Sequence, residues 1–146
     1  MKRIILTVMI FCAAFTVCAQ SRPFPQNLSF PGTIKPSHIS EEQMNSDVTT
    51  YYQYWKSTFL KTSGSYYYVD MNASDFTTSS EATGYGMIIT ALMAGHDSNA
   101  KTYFDGLKAL YDSHRSNTDN NLMSWQWPTR DNSATDGDMD IAYALL

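Results

Sequence analysis

The sequence predicts an all-α fold that is built from helical hairpins. Two observations favour this class: four segments repeat apolar residues at the spacing of an α-helix, and long polar loops, rather than the short connections of a compact bundle, separate them. Neither an internal repeat nor a linker marks a second unit. We therefore expect one domain over residues 38–146, preceded by an N-terminal segment and an extended lead-in.

Residues 1–19 have the pattern of a cleaved signal peptide. Lys2 and Arg3 form a basic start, an apolar run follows, and small residues at its end suit cleavage. The run is shorter than the roughly 20 residues that a spanning helix needs. Cys18 raises a lipoprotein alternative, which the bulky Val17 before it disfavours. We expect a secreted or periplasmic protein that is not attached to a membrane after cleavage.

Composition narrows the classes of partner. Both cysteines, Cys12 and Cys18, lie in the signal segment, so the mature chain has neither a disulfide nor a cysteine-based metal site. The full chain carries 10 basic and 14 acidic residues, and loss of Lys2 and Arg3 makes the net charge −6. Such a charge does not suit nucleic acid, whose phosphates require basic contacts. The abundant tyrosines and tryptophans suit either a core or stacking on sugars.

The lead-in and the first helix come next. Residues 20–37 contain four prolines, a density that neither a helix nor a central strand tolerates, so this segment is expected to be extended. Ser40 and Gln43 have the spacing of a capping box. They predict a first helix from about Glu41 to Leu60. Its apolar face comprises Met44, Val48, Tyr51, Tyr52, Trp55 and Phe59.

Gly64 interrupts the helical pattern. The aromatic and β-branched run at 66–69 then favours a short extended piece. The second helix is predicted over about 81–94, and Gly95 stops it.

The third helix, capped by Ser98, continues to about His114. Its face comprises Ala100, Tyr103, Phe104, Leu107, Leu110 and Tyr111. The fourth begins near Asp138 and reaches Leu146 without a capping residue. We interpret the chain as cut short and expect it to fold poorly by itself, because missing hairpins would leave apolar helix faces exposed.

Glu81 is the first candidate for chemistry. It lies in a polar stretch, 78–87, whose Gly84 and Gly86 fall in the opening turns of a helix. Glycines lower helix propensity, so close approach of the backbone to a ligand would explain them. Alternatively, Glu81 completes a capping box with Thr78 and only complements the helix dipole. Since that dipole favours the ionised form, a general acid here needs burial or a neighbouring carboxylate to hold its proton.

Asp136 is the second candidate. It belongs to the run Asp136, Asp138 and Asp140, in which acids alternate with other residues before an apolar helix. A calcium loop has this spacing, but Ile141 occupies the position of its sharp-turn glycine. Asp138 and Asp140 suit a helix start, where acids complement the dipole. Asp136 is therefore the residue most easily spared for another role.

Trp125 and Trp127 lie in an otherwise polar loop between the two acidic segments. Such rings need an apolar partner, which is either the core or the face of a sugar, and the sequence favours neither. The histidines His38, His96 and His114 share no metal-ligand spacing, so they are expected to be solvated surface residues.

At these positions the sequence resembles glycoside hydrolase family 8. Members carry a Ser-Glu-Gly-x-Gly-Tyr-Gly-Met motif and, later, Ala-Ser/Thr-Asp-Ala/Gly-Asp followed by Ile/Met-Ala. Residues 80–87 and 134–142 match these motifs in the same order, with a Trp-x-Trp loop between them. Ala82 and Thr83 depart from the family's usual Gly-Gln beside the acid. The resemblance extends over about 51–146.

The resemblance implies a partial (α/α)6 barrel, which is a toroid of helical hairpins, and an inverting, endo-acting hydrolase of β-1,4-linked glycans such as cellulose, β-glucan, xylan or chitosan. Glu81 matches the general acid, and Asp136 matches the aspartate that binds and distorts the sugar at the cleavage subsite. Tyr85, Trp125 and Trp127 are candidate substrate-binding residues.

The same resemblance puts the general base further along the chain than residue 146, so the 146 residues alone are expected to be inactive. It implies neither a metal nor a cofactor, and we expect a monomer. Two alternatives remain: a catalytically silent glycan-binding helical domain, and a polysaccharide lyase on a similar toroid.

Overall fold

The computed structural model describes residues 23–26, 30–129 and 131–146. The predicted signal peptide, residues 1–19, lies outside the described residues. The helices are α1 (Glu41–Phe59), α2 (Ser80–Leu92), α3 (Ala100–Ser113) and α4 (Thr135–Ala144), and a 3-10 turn at Met93–Gly95 extends α2. The strands are β1 (Leu60–Ser63), β2 (Tyr66–Val69), β3 (Thr78–Ser79) and β4 (Gln126–Trp127).

The fold is mostly helical, but it is not purely α as the sequence predicted. β1 and β2 form an antiparallel hairpin that pairs Leu60 with Val69 and Ser63 with Tyr66. Gly64 makes the turn with a φ of 60°, a backbone conformation that favours glycine. The extended aromatic run at 66–69 was predicted and forms β2. Because β2 pairs with residues 60–63, those residues form β1, and α1 ends at Phe59. A second antiparallel ribbon joins β3 to β4.

The start of α1 is close to its prediction. The Ser40 hydroxyl accepts a hydrogen bond from the Gln43 N–H at 3.2 Å. The side chain of Gln43, however, donates to Asp47 at 2.8 Å instead of returning to Ser40. Only one half of the capping box is therefore formed.

The other helix starts differ from their predictions. Ser79 caps α2 by accepting from the Ala82 N–H at 3.1 Å, whereas Thr78 lies in β3. The capping box between Thr78 and Glu81, which was the alternative role for Glu81, is therefore not formed. The residue at the cap of α3 is Asn99 rather than Ser98, and its N–H donates to Asp97 at 2.9 Å.

The core lies where α2 meets α3 and α4. Its fully buried side chains are Met87, Leu107, Leu110, Met123 and Ile141. They come from all three helices and from the loop before β4. α2 is therefore the central helix of the described residues, which explains why its first turns carry small residues.

Gly84 and Gly86 allow this central helix to pack closely. A β-carbon on Gly84 would lie 2.6 Å from the Cβ of Asp140 on α4, and one on Gly86 would lie 2.8 Å from Cγ2 of Val69. The sequence suggested approach of the backbone to a ligand as the reason for these glycines. In the structure, the glycines are explained instead by the close packing of α2 against α4 and β2.

α1 is attached to the turn that follows α2. Lys56 forms a partly buried ion pair with Asp97, and the Tyr52 hydroxyl donates to the same carboxylate at 2.9 Å. The N–H of Phe24 donates to the Leu92 carbonyl at 2.8 Å, so the lead-in reaches the end of α2. In the part of the chain that the structure describes, no helix is long and apolar enough to cross a membrane.

Candidate active site

The two acidic motifs meet where α2 and α4 begin. A β-carbon on Gly137 of α4 would lie 2.6 Å from the backbone nitrogen of Glu81 and against the hydroxyl of Ser80. This contact requires glycine, because backbone atoms of α2 cannot yield space. It brings the starts of the two helices together, so Glu81 and Asp136 lie at the same end of the helix pair.

Tyr85 lies among the carboxylates at this end of α2 and α4. It lies one turn after Glu81 on α2 and is 51% exposed. A hydrogen bond to Glu81 and the charge of Glu81 are the main causes that raise the pKa of Tyr85, and the charges of Asp140 and Asp136 contribute further. The structure therefore groups Glu81, Tyr85 and Asp136, three of the residues that the sequence singled out. Asp140, which the sequence assigned only to the helix dipole, belongs to the same group.

The three aspartates of α4 have different environments. α4 begins at Thr135, earlier than predicted, so Asp136 lies in its first turn instead of ahead of it. Asp136 is exposed and accepts a hydrogen bond from the Gly137 N–H at 2.8 Å.

Asp138 has a structural contact instead, since it accepts from the Met123 N–H at 2.9 Å. Burial, as the largest cause, raises the pKa of Asp138. This carboxylate therefore fastens the loop that contains Trp125 and Trp127 to α4. Asp136, in contrast, is exposed, which is consistent with the suggestion from the sequence that it is available for another role.

The calcium alternative requires Asp136, Asp138 and Asp140 to converge on one ion. Asp138 instead points to the backbone of Met123, and Asp140 packs on Gly84. Within residues 23–26, 30–129 and 131–146, no group of three or more His, Cys, Asp or Glu side chains is placed to hold a metal ion.

The tryptophan loop, of which residues 122–129 and 131 are described, is bonded to the start of α2. The Ser80 N–H donates to the Trp125 carbonyl at 3.0 Å, and the Thr77 N–H donates to the Trp127 carbonyl at 2.8 Å. This pairing makes the β3–β4 ribbon and puts the loop beside Glu81. The order of motifs along the chain, with tryptophans between the two acids, thus corresponds to proximity in space.

The two tryptophan rings have different partners. Trp127 packs against the hydrophobic core and against Tyr68, with ring centroids 5.5 Å apart. Trp125 meets the edge of Phe76 at 5.4 Å, and its ring nitrogen is 3.4 Å from the Asp131 carboxylate. The sequence left the choice between core and sugar open for both rings. Trp127 is therefore partly buried against the core and Trp125 is partly buried against Phe76, and both stay candidate substrate-binding residues.

His114 is buried, so the prediction of a solvated surface histidine is wrong for it. Only 7% of the residue is exposed, and its Nε2 lies 2.9 Å from the Thr129 carbonyl and 3.2 Å from the Gln126 carbonyl. The sequence contained a signal for this burial: His114 follows Leu107 and Leu110 at helical spacing on the apolar face of α3.

Comparison with known proteins agrees with this arrangement of motifs. A family model for glycosyl hydrolases family 8 matches residues 37–146. The chain is 44% identical over 148 residues to a beta-glucanase of Niallia circulans, a match that covers 97% of this chain and 36% of that protein. It is 43% identical over 146 residues to an endoglucanase of Bacillus sp. (strain KSM-330), a match that covers 89% of this chain and 32% of that protein.

A solved structure has the same fold over most of the chain. The apo structure of a beta-1,3-1,4-glucanase from Paenibacillus sp. X4 superposes with a TM-score of 0.79 at 50% identity, covering 86% of this chain and 35% of that one. The chain thus spans about a third of the length of these relatives. From the match over residues 37–146 and the identity to these proteins, we conclude that the chain belongs to glycosyl hydrolases family 8.

Proposed function

We propose that this chain is the N-terminal part of an inverting, endo-acting glycoside hydrolase that cleaves β-linked glucans. The observation that carries the proposal is the contact of Gly137 with the backbone of Glu81, which brings a glutamate and the exposed Asp136 to one end of two packed helices. The β3–β4 ribbon adds an aromatic loop to that end. Together these supply an acid, a second carboxylate and an aromatic ring.

In the proposed reaction, Glu81 protonates the leaving glycosidic oxygen. An inverting enzyme also needs a carboxylate base, roughly 6.5 to 9.5 Å from the acid, with a water molecule between the base and the sugar. We assign Asp136 to holding the sugar at the cleavage subsite, as the family resemblance implies. The base is then expected from a helix beyond residue 146, where a partial (α/α)6 barrel would be completed.

Two features of the sequence and its relatives guide the choice of substrate and location. The relatives carry the names beta-glucanase, endoglucanase and beta-1,3-1,4-glucanase, so mixed-linkage β-glucan is the first substrate to test and soluble cellulose the second. The signal-peptide pattern of residues 1–19 supports a secreted or periplasmic protein that meets its polysaccharide outside the cytoplasm.

The decisive experiment measures release of reducing sugar by the full-length protein and by its Glu81→Gln variant. Loss of a general acid costs roughly 100- to 10,000-fold in rate. Glu42→Gln is a matched control, because Glu42 also lies in the first turn of a helix but on exposed α1. We expect the control to keep full activity. Equal rates for Glu81→Gln and the unmodified protein would remove Glu81 from the mechanism.

The products distinguish the proposal from its two alternatives. Proton NMR during early hydrolysis should show the α-anomer first, because inversion converts a β-linkage to an α-product. Binding of glycan without any turnover would favour the catalytically silent domain. Products that absorb in the near ultraviolet would identify a lyase.

The 146 residues alone are expected to be inactive and to lack a cooperative melt. Met139 and Tyr143 on α4 are both 66% exposed, and Tyr51 on α1 is 74% exposed, so large apolar side chains lie on the surface. Turnover or a single sharp calorimetric transition from this segment would contradict the assignment of these faces to a larger barrel.

A further inference from the structure

His114 is a buried imidazole at the end of α3 whose contacts are polar. Its Nε2 faces two carbonyl oxygens, those of Thr129 at 2.9 Å and Gln126 at 3.2 Å. A carbonyl oxygen only accepts hydrogen bonds, so Nε2 carries the hydrogen and donates it between them. The ring thus fastens the tryptophan loop at two points, on both sides of Pro128.

Ser124 forms hydrogen bonds between residues of the same loop. This residue is fully buried, and its hydroxyl accepts from the Asp131 N–H at 2.7 Å and donates to the Thr129 carbonyl at 3.2 Å. Its own N–H donates to the His114 carbonyl at 3.0 Å. His114 and Ser124 therefore share the Thr129 carbonyl as an acceptor, and together they hold the loop on the end of α3.

The loop in turn holds both helices that carry candidate catalytic groups. Its Trp125 carbonyl accepts from the N–H of Ser80, the residue directly before Glu81. Its Met123 N–H donates to the Asp138 carboxylate, two residues beyond Asp136. The starts of α2 and α4 are thus bonded to one loop, and that loop is bonded to His114.

We propose that His114 is a positioning residue that holds the tryptophan loop against the starts of α2 and α4, and so keeps Glu81 and Asp136 in place. The proposal rests on the proposed function for its catalytic consequence, but its structural part stands without it. His114 itself does not touch substrate, because its ring is buried beneath the loop. Its role is to keep Gln126 and Thr129 in place.

Three variants of the full-length protein separate positioning from general stability. His114→Leu keeps much of the bulk and removes the donor, whereas His114→Gln offers an amide N–H at a similar reach. Tyr52→Phe is the matched control, since it removes a partly buried hydroxyl that bonds Asp97, which follows the end of α2 opposite to Glu81. It should lower the melting temperature without changing kcat at 25 °C.

Displacement of catalytic groups by about 1 Å costs roughly 100-fold in rate, so we expect kcat of His114→Leu to fall roughly 10- to 100-fold. Most of this loss should be recovered in His114→Gln. A loss of kcat in Tyr52→Phe as large as that in His114→Leu would overturn the proposal, and so would an unchanged kcat in His114→Leu.

Hydrogen exchange tests the loop independently of activity. In His114→Leu, peptides that cover residues 77–81 and 122–126 should exchange faster than in the unmodified protein and in Tyr52→Phe. Unchanged exchange there would overturn the proposal, and so would faster exchange with an unchanged kcat. If the unmodified protein hydrolyses no β-glycan, the proposed function fails, while the exchange data still decide whether His114 holds the loop.

Discussion

Gly137 of α4 lies against the backbone of Glu81, so that a β-carbon on the glycine would be 2.6 Å from the glutamate nitrogen. Two helix starts that belong to different motifs are thereby held in backbone contact. Because neither backbone can rotate away as a side chain can, this contact fixes the separation of the two motifs. It is the feature of the site that substitution can test most directly.

Gly137→Ala should push α4 away from α2. Overpacking of this kind costs about 1–3 kcal/mol of stability, and here it should also lower β-glucan hydrolysis because Asp136 moves with α4. Melting temperature and kcat/KM of the full-length protein measure the two effects. Gly64→Ala is the control: its φ of 60° makes alanine strained, but it lies in the β1–β2 turn, so it should lose stability and keep kcat. Full activity in Gly137→Ala would contradict this role.

Trp125 and Trp127 should respond differently to alanine. Trp127 is partly buried against the core, so Trp127→Ala should cost about 3 kcal/mol of stability, the low end of the range for a large aromatic side chain. Trp125→Ala should change the melting temperature less than Trp127→Ala and raise KM for β-glucan, because its ring packs on Phe76 and not on the core cluster. Thermal melts and steady-state kinetics on the two variants check this. A raised KM in Trp127→Ala with an unchanged melt would reverse the assignment.

The Tyr85 phenol should hold its proton to higher pH than an ordinary tyrosine. Its pKa is raised above 10.0, chiefly by the hydrogen bond and negative charge of Glu81. A phenolate there would face carboxylates, so deprotonation is disfavoured. Ultraviolet difference titration against Tyr85→Phe isolates its ionisation. In Glu81→Gln the ionisation of Tyr85 should move to lower pH. An identical Tyr85 titration with Glu81 and with Gln at that position would show that the two side chains do not interact.

Asp138→Asn should stabilise the protein at neutral pH. Burial is the largest cause that raises the pKa of Asp138 above 3.8. Below pH 3.8 the group is neutral in both the folded and the unfolded state, and the protein then has the full stability that the neutral form allows. That stability is lost as the pH rises through the raised value, because the folded state must then bear a desolvated charge. The asparagine oxygen can still accept from Met123.

The gain in melting temperature of Asp138→Asn over the unmodified protein should therefore be larger at pH 7 than near pH 3.5. Asp138→Ala serves as the control, since it removes the charge and also the acceptor for the Met123 N–H. It should not share the gain at pH 7. A gain for Asp138→Asn that is equal at both pH values would refute the electrostatic explanation.

The helices could be predicted because their signals are local. Apolar residues at helical spacing and a Ser40 cap gave α1 within one residue of its observed end. The aromatic run at 66–69 gave β2. The acidic motifs also made Glu81 and Asp136 candidates, since the residues that define each motif are neighbours in the chain, and the structure brings the two to one end of α2 and α4.

Features that depend on distant contacts could not be predicted. Thr78 is drawn into β3 by pairing with Trp127, and this moves the cap of α2 to Ser79. The reason for Gly84 lies on α4, a helix whose position the sequence did not give. The hydrogen bonds of His114 could not be predicted, although its helical spacing indicated burial, because its acceptors belong to a loop that follows it and folds back over it.

The pairing of β3 with β4 has a consequence for exchanging parts between relatives. The strand that leads to the acid and the loop that carries the tryptophans are separated along the chain, yet they share backbone hydrogen bonds at Thr77 and Ser80. A chimera that takes only residues 122–131 from another family member would join a foreign loop to a native strand. Substrate preference is therefore expected to transfer only when residues 77–80 are grafted together with that loop.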